Sequence, residues 1–119
     1  MKVLIVESNR DLGWMWQRHL DRKGCDVHLV DGQDSAIEFL CVTEVNIIIL
    51  DVMLDDGSAF AVSDFASYRY PNTKVIFVTN TTFFSDGSIF QHAANACAFL
   101  PASSPPEDLA AMVDHYGAV

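Results

Sequence analysis

A chain of 119 residues, half of them apolar and 19% charged, has the size and balance of one globular domain rather than of two domains or a disordered segment. Sixteen Asp and Glu against seven Lys and Arg leave a formal charge of -9, which disfavours a general binder of nucleic-acid backbone or anionic lipid because nothing offsets the repulsion. No apolar run approaches the roughly 20 residues needed to cross a bilayer, and the opening Met1-Lys2-Val3-Leu4-Ile5-Val6-Glu7 lacks the features of a signal peptide; a cytoplasmic protein without a membrane segment is expected.

In chain order the apolar pattern predicts strand and helix alternating five times, with no repeat or linker between them. The first strand, 2–6, leads into a helix over 9–23, where Leu12, Met15, Trp16, His19 and Leu20 share one face and Trp14 falls nearly opposite. An outward Trp suggests an anchor for a partner. A strand over 27–30 and a helix over 33–42 follow, then a strand over 46–50 and a helix over 58–68. The fourth unit is a strand over 74–78 with a helix over 84–95, where Phe83, Phe84 and Phe90 are divided between core and interface and Asp86 is the sole charge. The last unit is a strand over 97–100 with a helix over 105–116 carrying an apolar stripe at Leu109, Met112, Val113 and Tyr116; Ser104 is its expected cap, Pro105 its first residue and Glu107 the partner in a capping box.

The first, third and fourth strands are continuously apolar, as strands covered on both faces must be, and belong in the centre of the sheet. Strands joined by helices imply right-handed parallel crossovers, hence an α/β doubly wound (βα)5 architecture with helices on both faces. Ligands of such sheets gather at the carboxyl ends of the strands. The residues just past those ends are Glu7 and Ser8, Asp51, Thr79 and Asn80, and Pro101 to Ser103, which brings two carboxylates together. Cys25, Cys41 and Cys97 are odd in number and widely spaced, so buried thiols are expected rather than disulfides or zinc ligands. His19, His28, His92 and His115 lack the paired spacing of a zinc site.

With those residues in place, the chain resembles the receiver domains of two-component response regulators over nearly its whole length. Val3-Leu4-Ile5-Val6-Glu7 is similar to the family's strand ending in an acidic pair, Ile47-Ile48-Ile49-Leu50-Asp51-Val52-Met53-Leu54 to its phosphoacceptor segment, and Val75-Ile76-Phe77-Val78-Thr79 to its switch-hydroxyl strand. Asp31-Gly32-Gln33 and Ala36 sit as in the family's second helix. The resemblance implies a flavodoxin-like five-stranded sheet of order 2-1-3-4-5, with Asp51 as phosphoacceptor, Thr79 as switch hydroxyl and Phe99 as the aromatic that reorients. A magnesium ion would be held by Glu7, Asp51 and the backbone carbonyl of Met53. The implied partners are a histidine kinase, a histidine phosphotransferase or another signalling protein, met through Trp14, with the chain itself a monomer or weak homodimer and not an enzyme.

The sequence departs from the family's pattern at the supporting positions. Ser8 stands for the second acid, Ala102 for the lysine that pairs with phosphoryl oxygens, and Ser103 for the proline after it; Asp55 replaces a usual proline and Ala59 a usual glycine. One carboxylate fewer weakens a hard cation, and loss of the lysine removes stabilisation of the transferring group. Asn80 would also crowd the approach to Asp51. The expectation is an atypical receiver with weakened or lost magnesium-dependent phosphorylation that acts through its surface; the alternative is a competent receiver phosphorylated at Asp51. A phosphatase of the dehalogenase type fits poorly, because Met53 stands where a second carboxylate is needed. A flavin binder also fits poorly, because Glu7-Ser8-Asn9-Arg10-Asp11 is acidic and without glycine. A DNA-binding output would need a further domain, so the chain either acts alone or is a piece of a longer one.

Overall fold

The structure, a computed structural model, describes residues 1–79 and 95–117. Its elements are β1 (Lys2–Val6), α1 (Arg10–Arg22), β2 (Asp26–Val30), α2 (Gln33–Val42), β3 (Ile47–Asp51), α3 (Ala59–Arg69), β4 (Lys74–Thr79), β5 (Ala96–Pro101) and α4 (Pro106–Gly117). The helix expected over 84–95 lies outside the described residues save Asn95, as do Phe83, Phe84, Asp86, Phe90, His92 and Asn80.

All strands pair in parallel in the order β2-β1-β3-β4-β5, so β1, β3 and β4, the continuously apolar runs, are the three interior strands. Successive side chains of a strand point to opposite faces, and the core divides accordingly. Leu4, Val6, Ile48, Leu50 and Phe77 meet Ala36 and Leu40 of α2 and Val62 and Ala66 of α3. Val3, Ile5, Ile49, Ile76 and Val78 meet Trp16 and Leu20 of α1 and Leu109 and Val113 of α4. Hydroxyls fasten the loops at the foot of the sheet: buried Thr73 Oγ1 donates to the Val45 carbonyl at 2.6 Å, and half-buried Tyr70 Oη to the Leu40 carbonyl at 2.6 Å. Gly117 lies against Met1 at that same foot, where the Met1 carbonyl also accepts the Asp26 amide. Among the described residues no helix is long and apolar enough to cross a membrane.

Three expectations are corrected. The last helix begins at Pro106, not Pro105: a residue followed by proline is driven out of the helical region, so Pro105 precedes the helix and its carbonyl accepts the Asp108 amide at 3.0 Å, which places Ser104 outside the cap. In α1 the buried arc runs through Gly13, Trp16 and Leu20, while Met15 is 41% exposed. Gly13 occupies the centre because the helix approaches β2 closely there; a Cβ would stand 2.8 Å from Leu29 Cδ1. The thiols are not buried: Cys41 is exposed and Cys25 and Cys97 are half-buried, although burial still pushes the latter two above the ordinary thiol range. Trp14 points outward as expected, 55% exposed.

Candidate functional site

At the carboxyl ends of the strands a cavity of about 430 Å³ is lined by Glu7, Ser8, Asn9, Leu12, Asp51, Met53, Asp55 and Ala102. A larger one of about 640 Å³ opens at the opposite edge between Asn46, Thr73, Lys74, Cys97 and Tyr116. The chemistry belongs to the smaller, which collects three carboxylates where such sheets bind ligands. Among its described lining residues there is no lysine, arginine or histidine.

Asp51 is the last residue of β3 and is half-buried. Its Oδ1 accepts the Met53 amide at 2.9 Å, a local turn that orients the carboxylate and starts the loop to α3. Glu7 follows the last residue of the neighbouring strand, Val6 being paired with Leu50. It is 3% exposed. Oε1 accepts the Asn9 amide at 3.2 Å, whereas Oε2 is buried without a hydrogen-bond partner. Burial first, then hydrogen bonding to and repulsion from Asp51, raise the Glu7 carboxyl from 4.5 to about 8. Burial and the neighbouring Asp51 thus favour the protonated form of Glu7 near neutrality, and Oε2 becomes a free carboxylate oxygen only where a cation displaces that proton.

The turn after β1 commits each of its side chains to backbone. Asn9 caps α1, its Oδ1 accepting the Leu12 amide at 3.2 Å. Ser8 Oγ donates to the Asp31 carbonyl at 2.9 Å and accepts the Asp55 amide at 2.9 Å. The β3–α3 loop is further tied to the start of α2, where the Gln33 amide donates to the Asp56 carbonyl at 3.2 Å and Gln33 Oε1 accepts the Ser58 amide at 2.7 Å. Gly57 makes this possible: its φ is +89° and any Cβ would run into the Gln33 side chain. Ser58 then caps α3 through the Ala61 amide at 3.4 Å.

The other expected residues fall as follows. Thr79 ends β4, is buried and does not line the cavity; its carbonyl accepts the Ala102 amide at 2.7 Å. Phe99 pairs with Phe77 and packs half-buried on the α2–α3 side. Ala59 is buried at the start of α3, and Ser103 is exposed outside the cavity. Asp55 lines the cavity. Trp14 stands outside the cavity with the Arg18 guanidinium 4.6 Å from its ring centroid. Sequence reasoning missed Gln33 and Gly57 as loop ties; the only signal was a glycine ahead of a capping serine.

A hard divalent cation prefers oxygen donors and keeps several waters when charge is sparse. The unpartnered Glu7 Oε2, the Asp51 carboxylate and the backbone at Met53 are donors of that kind and fit such an ion. Ser8 adds no charge to them, and its hydroxyl already serves two backbone groups. Among the described residues no three His, Cys, Asp or Glu side chains converge to hold an ion by themselves.

Comparison with solved structures finds the same fold. A signal receiver domain of a LuxO repressor protein from Vibrio parahaemolyticus is 24% identical with a TM-score of 0.87, covering 98% of this chain and 89% of that one. A CheY-like receiver domain protein from Methanospirillum hungatei is 19% identical with a TM-score of 0.89, covering 98% and 93%. The receiver domain of a sensor histidine kinase from Pseudomonas aeruginosa, solved with a magnesium ion in its active-site cleft, is 16% identical with a TM-score of 0.85, covering 99% and 98%. No curated protein matches the sequence. The family model of the response regulator receiver domain matches residues 3–114. On that match, with the sheet order and the carboxylates at its upper edge, the chain belongs to the response regulator receiver domains, the receiving modules of two-component signalling.

Proposed function

We propose that Asp51 is the phosphoacceptor of an atypical receiver that takes phosphate slowly from small donors and depends on docking to a phosphodonor protein. The observation that carries this reading is the position of Asp51, half-buried at the head of the central strand and opening beside buried Glu7 into a cavity with no cationic side chain among its described lining residues. An Asp51 oxygen attacks phosphorus, the bond from phosphorus to the donor's nitrogen or oxygen breaks, and the donor leaves with the electron pair. Such transfers are governed by positioning and charge neutralisation. The Met53 amide orients the attacking carboxylate, and Ala102 offers no charge to the incoming phosphoryl group. Magnesium, held weakly by Glu7, Asp51 and the Met53 carbonyl, would supply neutralisation when bound. The chain accepts one phosphoryl group and turns over no substrate, as a cytoplasmic signalling module.

The phosphodonor, a histidine kinase or phosphotransferase, would dock on α1. Trp14 is exposed there together with Arg10, Arg18 and Arg22. Three arginines against Asp11 and Asp21 make this helix net positive in a chain of charge -9, and an acidic helical surface carrying an apolar residue for Trp14 is its complement.

Intact mass after incubation with magnesium and a small acyl phosphate, beside Asp51→Ala, tests the reading. A slow, substoichiometric adduct that vanishes in Asp51→Ala supports it. A rapid stoichiometric adduct would make this a fully competent receiver, and an adduct that survives Asp51→Ala would remove Asp51 from the role.

A further inference from the structure

Ser8 occupies the point where three crossover loops meet. It follows β1, its hydroxyl hydrogen reaches Asp31 at the end of β2, and its lone pair takes the Asp55 amide in the loop after β3, partners 23 and 47 residues away along the chain. A hydroxyl suits this position because it donates and accepts at once. An ionised carboxylate could take the Asp55 amide but would repel the Asp31 carbonyl, and it would add a charge beside Glu7, Asp51 and Asp55 that a cation would be needed to hold in its ionised form.

We propose that Ser8 is a positioning residue that holds the β3–α3 loop in place without a cation, so that the loop bearing Met53 and Asp55 has the same order with and without magnesium. On the reading of Asp51 as acceptor, which this inference presupposes for its purpose, the tie uncouples the geometry of the acceptor loop from metal occupancy. Gln33 supports the arrangement from α2 by gripping the same loop at Asp56 and Ser58. The loop is thus held at Asp55, Asp56 and Ser58, each time by neutral hydrogen bonds.

Amide hydrogen exchange of residues 53–58 in the unphosphorylated protein, with magnesium chloride or with chelator, tests it. Wild-type protection should change less than threefold on adding magnesium. Ser8→Ala should lower protection of the Asp55 amide about fivefold to tenfold, the loss expected for one hydrogen bond, while Ser8→Thr, which keeps the hydroxyl, should preserve it. Ser8→Asp should make protection depend on magnesium by threefold or more. The proposal is overturned by wild-type protection that rises threefold or more with magnesium, by Ser8→Ala protection within threefold of wild type, or by an Ser8→Asp loop indifferent to the ion. Exchange and adduct mass fail separately: a protected loop with no Asp51 adduct would sink the acceptor reading and leave the role of Ser8 standing, and a normal adduct with a magnesium-dependent loop would do the reverse.

Discussion

Asp51 faces Glu7 across neighbouring strand ends, and its presence there adds to burial in lifting the Glu7 carboxyl to about 8. The native state thus binds a proton more tightly than the unfolded chain, whose glutamate titrates near 4.5. The stabilisation this confers is complete below about 4.5, falls as pH rises through that window, and is gone above about 8. Glu7→Gln, neutral at every pH, should be more stable than wild type at pH 9 by on the order of 2 kcal/mol and should lose that advantage by pH 5. Urea unfolding at the two pH values measures this; equal differences at both would show that Glu7 does not hold the proton.

Ala102 lines the cavity with Glu7 and Asp51, so, with Asp51 as the proposed acceptor, Ala102→Lys would deliver an ammonium to the place where charge would develop on a transferring phosphoryl group. Acceptance from a small acyl phosphate should quicken by roughly 10-fold to 100-fold, at or below the effect of a single preorganised stabilising group because the new side chain is solvent-facing and flexible. The rate of appearance of the Asp51 adduct is the readout. An unchanged rate would mean that a charge at position 102 does not govern acceptance.

Trp14 is 55% exposed and carries the Arg18 guanidinium over its ring, so Trp14→Ala should shift unfolding free energy by no more than about 0.5 kcal/mol. It should leave phosphorylation by a small donor intact and weaken transfer from a protein donor by 10-fold or more, about 1.4 kcal/mol for a Trp at an interface. Thermal melting and the two transfer rates, side by side, check it; equal loss with both donors would point to a damaged site instead.

Gly57 and Gly24 have φ of +89° and +88°, but a Cβ meets Gln33 at the first and nothing within 4 Å at the second. Gly24→Ala should therefore cost about 1 kcal/mol of strain alone, and Gly57→Ala about 2–3 kcal/mol, since Gln33 must also release the loop. Denaturant midpoints distinguish them, and equal costs would show that the Gln33 contact contributes nothing.

The sheet was legible because Ile47 to Leu50 and Val75 to Val78 are unbroken apolar runs, which only a strand covered on both faces tolerates. Glu7 and Asp51 were legible because strand ends are where this architecture collects its charges. Ser8 was visible only as a missing acid; that its hydroxyl bridges Asp31 and Asp55 depends on tertiary approach and leaves no local trace. Gly13 escaped because a hydrophobic count gives it no weight, although its lack of a side chain is what lets α1 settle on Leu29. The start of α4 was misjudged by one residue because two prolines in succession each satisfy the rule for a first helical turn, and only the effect of Pro106 on Pro105 separates them.

Gly117 rests on Met1 at the foot of the sheet, while Glu7, Asp51 and Ala102 open at its head. The two extremities of the described fold therefore leave from adjacent points on the side away from the chemistry. A host protein could carry this unit as a single insertion joined at neighbouring positions, or a linker of a few residues could close it into a ring, and in either setting the acidic mouth and the Trp14 helix would remain exposed.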